Sequence, residues 1–311
     1  MTPDTSPSAR ALVLLNARSG TGSGPGRGEE LAALFAAEGL EAEVVLADAA
    51  QDLQAAIARA QSEGTRLVVA GGGDGTQAAV AAALAGTGCA QGVLPMGTLN
   101  HFAKDLGIPL KLEDAVRTIA RGRVLQVDVG EVNGRIFINN SSLGLYPEIV
   151  RERELQRLRL GKGKWRALAS ATLRATERPH GIAVRIESED ASEDQVRRTP
   201  FVFVGNNRYT MEGLDIGGRE NLQRGELALY LGRRRGRLAL LRLALSALFK
   251  RLDQAEDFEM VTGAAFVIST TDARIRVATD GEIAMLDTPL HYRIRPGALR
   301  VMVPAEAPGA A

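Results

Sequence analysis

The sequence predicts two domains: an N-terminal α/β domain built on a parallel sheet, then a C-terminal β-sandwich. Three observations carry this. Up to about Arg123, short apolar runs alternate with helical stretches, the pattern of a parallel sheet covered on both faces. Beyond that point apolar and polar residues alternate, as in half-buried antiparallel strands. Finally, 311 residues, 45% of them hydrophobic and 24% charged, suffice for two domains with separate cores.

Ala11 to Leu15 is the first strand, and the glycine-rich stretch Asn16 to Gly28 follows it. Glu29 to Gly39 reads as a helix closed by a glycine. Glu41 to Leu46 reads as a strand and Asp52 to Glu63 as a helix. The strand Arg66 to Ala70 runs into Gly71-Gly-Gly-Asp-Gly-Thr76, and Gln77 to Leu84, rich in alanine, reads as a helix packed closely on the sheet. Gln91 to Leu94 is the fourth strand. In the second part, Val124–Val132, Arg135–Asn139, Ile182–Glu187, Phe201–Val204, Leu227–Leu231, Ala265–Ser269, Arg274–Ala278 and His291–Arg295 read as strands, interrupted by helical stretches over Glu148–Glu177 and Arg237–Ala255. The domains are expected at 10–128 and 129–304, with disordered tails at 1–9 and 305–311.

Composition narrows the function. A formal net charge of +1 and no basic surface interleaved with aromatics argue against nucleic acid as a partner. One cysteine, Cys89, excludes a disulfide framework and a cysteine-built metal site. Met1 to Arg10 has no apolar signal core, and Ala11 to Leu15 is too short to cross a bilayer. The expected location is cytoplasmic, with any membrane contact made from the surface. The leucine-rich, arginine-flanked helix 237–252 and the basic stretch around Trp165 are the candidates for that contact, although such helices more often pack leucines on a core.

Four elements carry chemistry. Gly71 to Thr76 lies between a strand and a helix. Glycines let backbone N–H groups approach a ligand, and the helix N-terminus favours an anion, so Gly72, Gly73, Gly75 and Thr76 are candidate phosphate binders. Asp74 among them makes sense where Mg²⁺ or a hydroxyl proton must be handled; a tight turn capped by Asp74 would account for a lone glycine cluster equally well. The second element is Pro95 to Pro109, in which Gly97 again follows a strand and Thr98 and Asn100 offer side-chain hydrogen bonds. The third, Asn16 to Gly24, supplies Asn16, Arg18, Ser19 and Gly20, with Arg18 able to meet a phosphate bidentately. The fourth is Asp280-Gly-Glu282, two carboxylates about a glycine, where either can accept a hydroxyl proton; Asp-Gly is equally a favoured hairpin pair. Three loops at three strand ends of one sheet weigh against coincidence.

Together and in this order, Asn16–Gly20, Gly72–Thr76, Pro95 to Ala103 and Asp280–Glu282 resemble the diacylglycerol kinase catalytic family, which includes sphingosine kinases and bacterial lipid kinases. Asp128-Val-Gly130, Phe137-Ile-Asn-Asn140 and Gly144 are similar to that family's entry into its second domain. The resemblance covers about residues 10 to 300. It implies a Rossmann-like domain of the NAD kinase and diacylglycerol kinase type, followed by a β-sandwich. It implies ATP and Mg²⁺, with a lipid hydroxyl as acceptor. The nucleotide would lie on Asn16, Ser19, Gly72–Thr76, Gly97 and Thr98. Asp280 and Glu282 would activate the hydroxyl, and Asp74 would lie near the phosphates and Mg²⁺. One departure is Leu222-Gln-Arg-Gly-Glu-Leu227, with Gln223 where some bacterial members carry an aspartate linked to a second, structural Mg²⁺. The rival readings are a soluble small-molecule kinase of NAD kinase type and a nucleotide-binding regulator without turnover.

Overall fold

The computed structural model describes residues 10–16, 26–47, 50–144, 181–188, 196–209, 211–212, 215–216, 218–219, 221–232 and 258–305. The chain forms two compact units, residues 1–129 with 296–311, and residues 130–295. The helical stretches expected at Glu148–Glu177 and Arg237–Ala255 lie outside the described residues, as do Arg18, Ser19 and Gly20.

The first unit contains β1 (Arg10–Asn16), α1 (Arg27–Ala37), β2 (Glu41–Ala47), α2 (Ala50–Ser62), β3 (Leu67–Gly72), α3 (Asp74–Leu84), β4 (Ala90–Pro95), α4 (His101–Asp105), α5 (Leu112–Arg121) and most of β5 (Arg123–Val132). Strands β1 to β4 are parallel, in the order β2-β1-β3-β4. The central runs are largely apolar because helices cover both faces: Leu12 to Leu15, Val68, Val69, Val93 and Leu94 are all buried, while β2 at the edge is largely exposed or half-buried. Helix α1 packs with α5, and α2 with α3. Each helix turns an apolar stripe inward: Leu31 and Phe35 on α1, Val80, Ala81 and Leu84 on α3, Ala115, Val116 and Ile119 on α5.

The second unit holds β6 (Arg135–Phe137), β7 (Asn140–Gly144), β8 (Ile182–Glu187), β9 (Val196–Thr199), β10 (Phe201–Asn206), the short pair β11 (Met211–Glu212) and β12 (Asp215–Ile216), β13 (Leu227–Gly232), β14 (Phe258–Gly263), β15 (Ala265–Thr270), β16 (Arg274–Thr279) and β17 (Glu282–Asp287), with the first part of β18 (Leu290–Val303). One antiparallel sheet runs β14-β13-β10-β7-β16-β17; in the facing layer β18 pairs β15, β15 pairs β8 and β8 pairs β9, all antiparallel. Leu143, Val202, Val204, Leu229 and Val277 from the first layer pack against Val184, Phe266, Ile268, Leu290 and Tyr292 from the second. The expected α/β-plus-sandwich fold is the one observed.

The elements themselves depart from expectation in places. Helix α3 begins at Asp74, because Gly73 takes the N-cap position and Asp74 is already helical. The strand expected over Arg135–Asn139 stops at Phe137, since the amides of Ile138 and Asn139 leave the ladder for a side chain described below. The last strand runs well past Arg295, and Arg300 and Val301 pair in parallel with Ala90 and Gln91 of β4, inside the first unit.

Candidate active site

In the first unit, β1 and β3 are neighbours, yet the chain leaves β1 toward β2 on one side and β3 toward β4 on the other. Such a switch point opens a crevice at the carboxyl ends of the strands, where open α/β sheets take ligands. Asn16 ends β1 and Gly71–Thr76 follows β3 at this point. The Asn16 Nδ2 donates to Thr76 Oγ1 at 3.1 Å, tying the two strand ends together. Thr76 packs so closely on Gly72 that a Cβ there would strike its hydroxyl. Gly75 is exposed, with open space where a Cβ would stand. The first N–H groups of α3 have no partner within the helix, so the turn presents donors and a partial positive charge.

The 95–100 loop lies directly against this turn. A Cβ on Gly97 would come within 2.5 Å of Gly73 Cα, so glycine is what lets the two loops touch backbone to backbone. Asn100, in the left-handed region at φ 51°, closes the loop on itself: its Oδ1 accepts from Gly97 N and its Nδ2 donates to Gly97 O, both at 2.9 Å. Asn100 therefore shapes the loop, whereas Thr98 is exposed and available to a ligand. Asp74 is half-buried on the first turn of α3, and its Oδ1 accepts from Phe102 N at 3.3 Å, which fixes the carboxylate beside both loops.

Two residues that the motifs do not mark hold this arrangement together. Gln77, buried on α3, donates from Nε2 to Ala70 O at 2.9 Å and to Leu94 O at 3.3 Å, stapling β3 to β4 just before their loops. Gln91 of β4 donates in turn to the Gln77 Oε1 at 3.0 Å. Buried glutamines in an apolar strand and an alanine-rich helix are the signal in the sequence, since such amides need partners.

In the second unit, Asp280 and Gly281 form the two-residue turn between β16 and β17, both with positive φ, 49° and 88°. That is a tight hairpin turn, and Asp-Gly suits it. The Asp280 side chain does more than turn the chain. Its Oδ2 accepts from Ile138 N at 2.8 Å, and its Oδ1 accepts from Asn139 N at 2.8 Å and Asn140 N at 3.1 Å. Desolvation raises its carboxyl to about 6, against the three amides and the Arg219 charge, which pull it down. Glu282 faces solvent, with Arg135 4.0 Å away. Arg219, only 3% exposed, donates to Ile138 O at 2.5 Å, Asn206 O at 3.1 Å and Asn139 Oδ1 at 2.9 Å, and lies over the Tyr209 ring. Asn206 Nδ2 also donates to Ile138 O, at 2.8 Å. Arg219, Asn206 and the 138–140 amides are neighbours of Asp280 that spacing alone does not reveal. Gln223, at the departure from the family pattern, bonds through its own backbone amide to Asn221 Oδ1 at 2.7 Å.

Residues 10–132 match the family model for the diacylglycerol kinase catalytic domain. Over that stretch the chain is similar to the diacylglycerol kinase catalytic domain. The matched domain contains Asn16, Gly72–Thr76 and Gly97–Asn100, whereas Asp280 and Glu282 lie outside it. Similarity to full-length proteins extends further. The Probable lipid kinase YegS of Salmonella newport (strain SL254) is 29% identical over 308 residues, covering 96% of this chain and 97% of that one. The same figures hold for the protein of that name from Salmonella schwarzengrund (strain CVM19633). The crystal structure of a diacylglycerol kinase from Bacillus anthracis (strain Sterne) shares the fold, with TM-score 0.66 at 19% identity over 97% of this chain and 98% of that one. Among the described residues, no helix of this chain is long and apolar enough to cross a membrane.

Proposed function

We propose that the chain transfers the γ-phosphoryl group of ATP to the hydroxyl of a lipid of diacylglycerol or sphingoid type, taken from a membrane surface. The observation that carries this reading is the double-glycine junction at the β1/β3 switch point. There Gly73 and Gly97 bring two loops into backbone contact beside the N-terminus of α3 and the Asp74 carboxylate. Loop amides in that position suit a chain of phosphates, and phosphoryl transfer depends on positioning and charge neutralisation more than on covalent chemistry. A pure binder has no use for the Asp280 carboxyl held by three amides, and the similarity to lipid kinases along the whole chain favours a lipid over a soluble acceptor.

Mg²⁺ fits this chemistry. It takes one or two carboxylates and completes its shell with phosphate oxygens and water. Asp74 supplies one carboxylate beside the loops, and among the described residues no cluster of three or more His, Cys, Asp or Glu side chains stands ready to enclose an ion. A bound Mg²⁺ would neutralise charge on the phosphates. Asn16 and Thr76 would hold the strand ends beneath the nucleotide, with Gly72, Gly73, Gly75, Gly97 and Thr98 around its phosphates; Arg18, Ser19 and Gly20 would extend the same edge.

Asp280 is the proton acceptor in this proposal. A carboxylate offers about four lone-pair sites, and three amides leave room for one more hydrogen bond. A carboxyl raised to about 6 is ionised at neutral pH yet more basic than an ordinary one, which suits a general base. The lipid oxygen attacks the γ-phosphorus, the bond to the β-phosphate oxygen breaks, ADP leaves, and the hydroxyl proton passes to Asp280.

The test is transfer of labelled γ-phosphate from ATP with Mg²⁺ into a panel of lipid alcohols in mixed micelles. Label is expected in a lipid with the parent chain. Asp280→Asn should lose roughly 10²-fold or more of turnover while keeping nucleotide binding, and Glu282→Gln should lose much less. Near-normal turnover in Asp280→Asn would remove Asp280 from the chemistry. Label appearing only in a soluble acceptor such as NAD would replace the lipid reading with the small-molecule one.

A further inference from the structure

Arg219 is a buried cation in the second unit, and the reaction as described gives it no role. Burying a guanidinium is costly unless its charge is offset and its donors are met. Its partners include the neutral oxygens Ile138 O, Asn206 O and Asn139 Oδ1. The Asp280 carboxylate lies one peptide further on. The Ile138 carbonyl that accepts from Arg219 belongs to the same peptide unit as the Asn139 N–H, which donates to Asp280 Oδ1. The cation, the peptide dipole and the carboxylate therefore stand in series.

We propose that Arg219 is a positioning residue for Asp280, acting through the Ile138–Asn139 peptide. The inference rests on reading Asp280 as the proton acceptor. Three devices hold the 138–140 segment from its carbonyl side: Arg219 and the Asn206 side chain on Ile138 O, and the Asn206 backbone amide on Asn139 O at 2.9 Å. Asp280 holds it from the amide side and donates its own N–H to Asn140 O, also at 2.9 Å. A donor on the carbonyl polarises the peptide and makes its N–H a stronger donor. The positive charge reaches the carboxyl directly as well. Both effects favour the ionised form, the one able to take a proton, in surroundings whose desolvation opposes it.

The charged side chains on the strands about Asp280 are Arg135 on β6, Arg274 and Arg276 on β16, and Glu282 and Asp287 on β17; β7 carries none. Arg135 faces Glu282 and Arg274 pairs with Asp287. On the segment that leads to β13, Arg224 and Glu226 accompany Arg219, and Glu226 pairs with Arg208. Of these groups, Arg219 is the one whose charge bears on the Asp280 titration.

The experiment measures kcat/KM against pH for the full chain with MgATP and diacylglycerol micelles, in the parent, Arg219→Gln and Arg219→Lys. In parallel, the Asp280 carboxyl is titrated by ¹³C NMR in the free protein. Arg219→Gln is expected to move the acid limb upward by about one pH unit or more, with the NMR titration moving alike. Arg219→Lys keeps the charge but cannot bridge Ile138 O and Asn139 Oδ1 together, so its limb moves up by less. A role in stability alone would lower the melting temperature and leave both titrations in place, and that result overturns the proposal. Should Arg219→Gln fail to fold, an unmoved titration in Arg219→Lys overturns it equally. A parent chain that phosphorylates no lipid alcohol would sink the functional reading, and the NMR titrations would still decide the role of Arg219.

Discussion

At the scale of single residues, the proposed role of Asp280 couples two opposite pH dependences. Its folded carboxyl titrates near 6, above the 3.8 of a free aspartate. The folded state thus keeps a proton that the unfolded chain has already lost between those values. This group's contribution to stability is fully present below the unfolded value and is lost as pH rises through about 6. In the proposed reaction turnover runs the other way, because Asp280 must be ionised to act as base. We expect kcat/KM to fall about tenfold per pH unit below about pH 6 and to level off above it, read from initial rates in overlapping buffers. A limb near pH 4 instead would remove Asp280 as the acceptor. The Asp-Gly pair is legible in the sequence as a turn and as candidate chemistry. What converts it into a tuned group, three amides some 140 residues earlier in the chain, has no local signature.

At the scale of elements, the glycine loops depend on how β3, α3 and β4 are fastened. Gln77 and Gln91 do this inside an otherwise apolar layer, and every bond between them is buried. Replacing Gln77 by leucine would leave the Gln91 amide and the Ala70 and Leu94 carbonyls without that partner. The expected cost is about 1–3 kcal/mol of stability, read from urea unfolding, together with weaker nucleotide binding. Strands β1 to β4 and helices α1 to α3 were legible because long apolar periods announce them. Helix α5 shows a readable stripe in Ala115, Val116 and Ile119. Strand β7 is another matter. Asn140-Ser-Ser-Leu-Gly144 is polar yet buried, its Ser141 hydroxyl hydrogen-bonded to Tyr292, so a search for hydrophobic alternation finds nothing there.

At the scale of the whole molecule, the sequence motifs divide between the two units, with loop amides on the first and the carboxylate hairpin on the second. Ligand binding should register differently in each. MgATP at 100 times its Kd is expected to stabilise the fold by about 2.7 kcal/mol. By hydrogen exchange it should protect Gly72–Thr76 and Gly97–Asn100, and leave the 138–140 amides, already bonded to Asp280, nearly unchanged. Protection confined to 138–140 would move the nucleotide off the glycine loops. The order of alternating elements made the two-part architecture legible. The return of the chain at Pro296 was not, because periodicity describes neighbours in sequence and β18 finds its partner Ala90 some 210 residues back.

That return has a consequence for how the protein is born. Among the described residues, the edge of β4 away from β3 is paired at Ala90 and Gln91 by Arg300 and Val301, which are made later. During synthesis the nucleotide-binding sheet must therefore wait, one strand short, while the whole second unit is made, a delay of roughly ten to thirty seconds at ordinary elongation rates. Through that interval an apolar parallel strand offers its free edge to whatever it meets, so the nascent first unit is the stretch of the chain most in need of a chaperone.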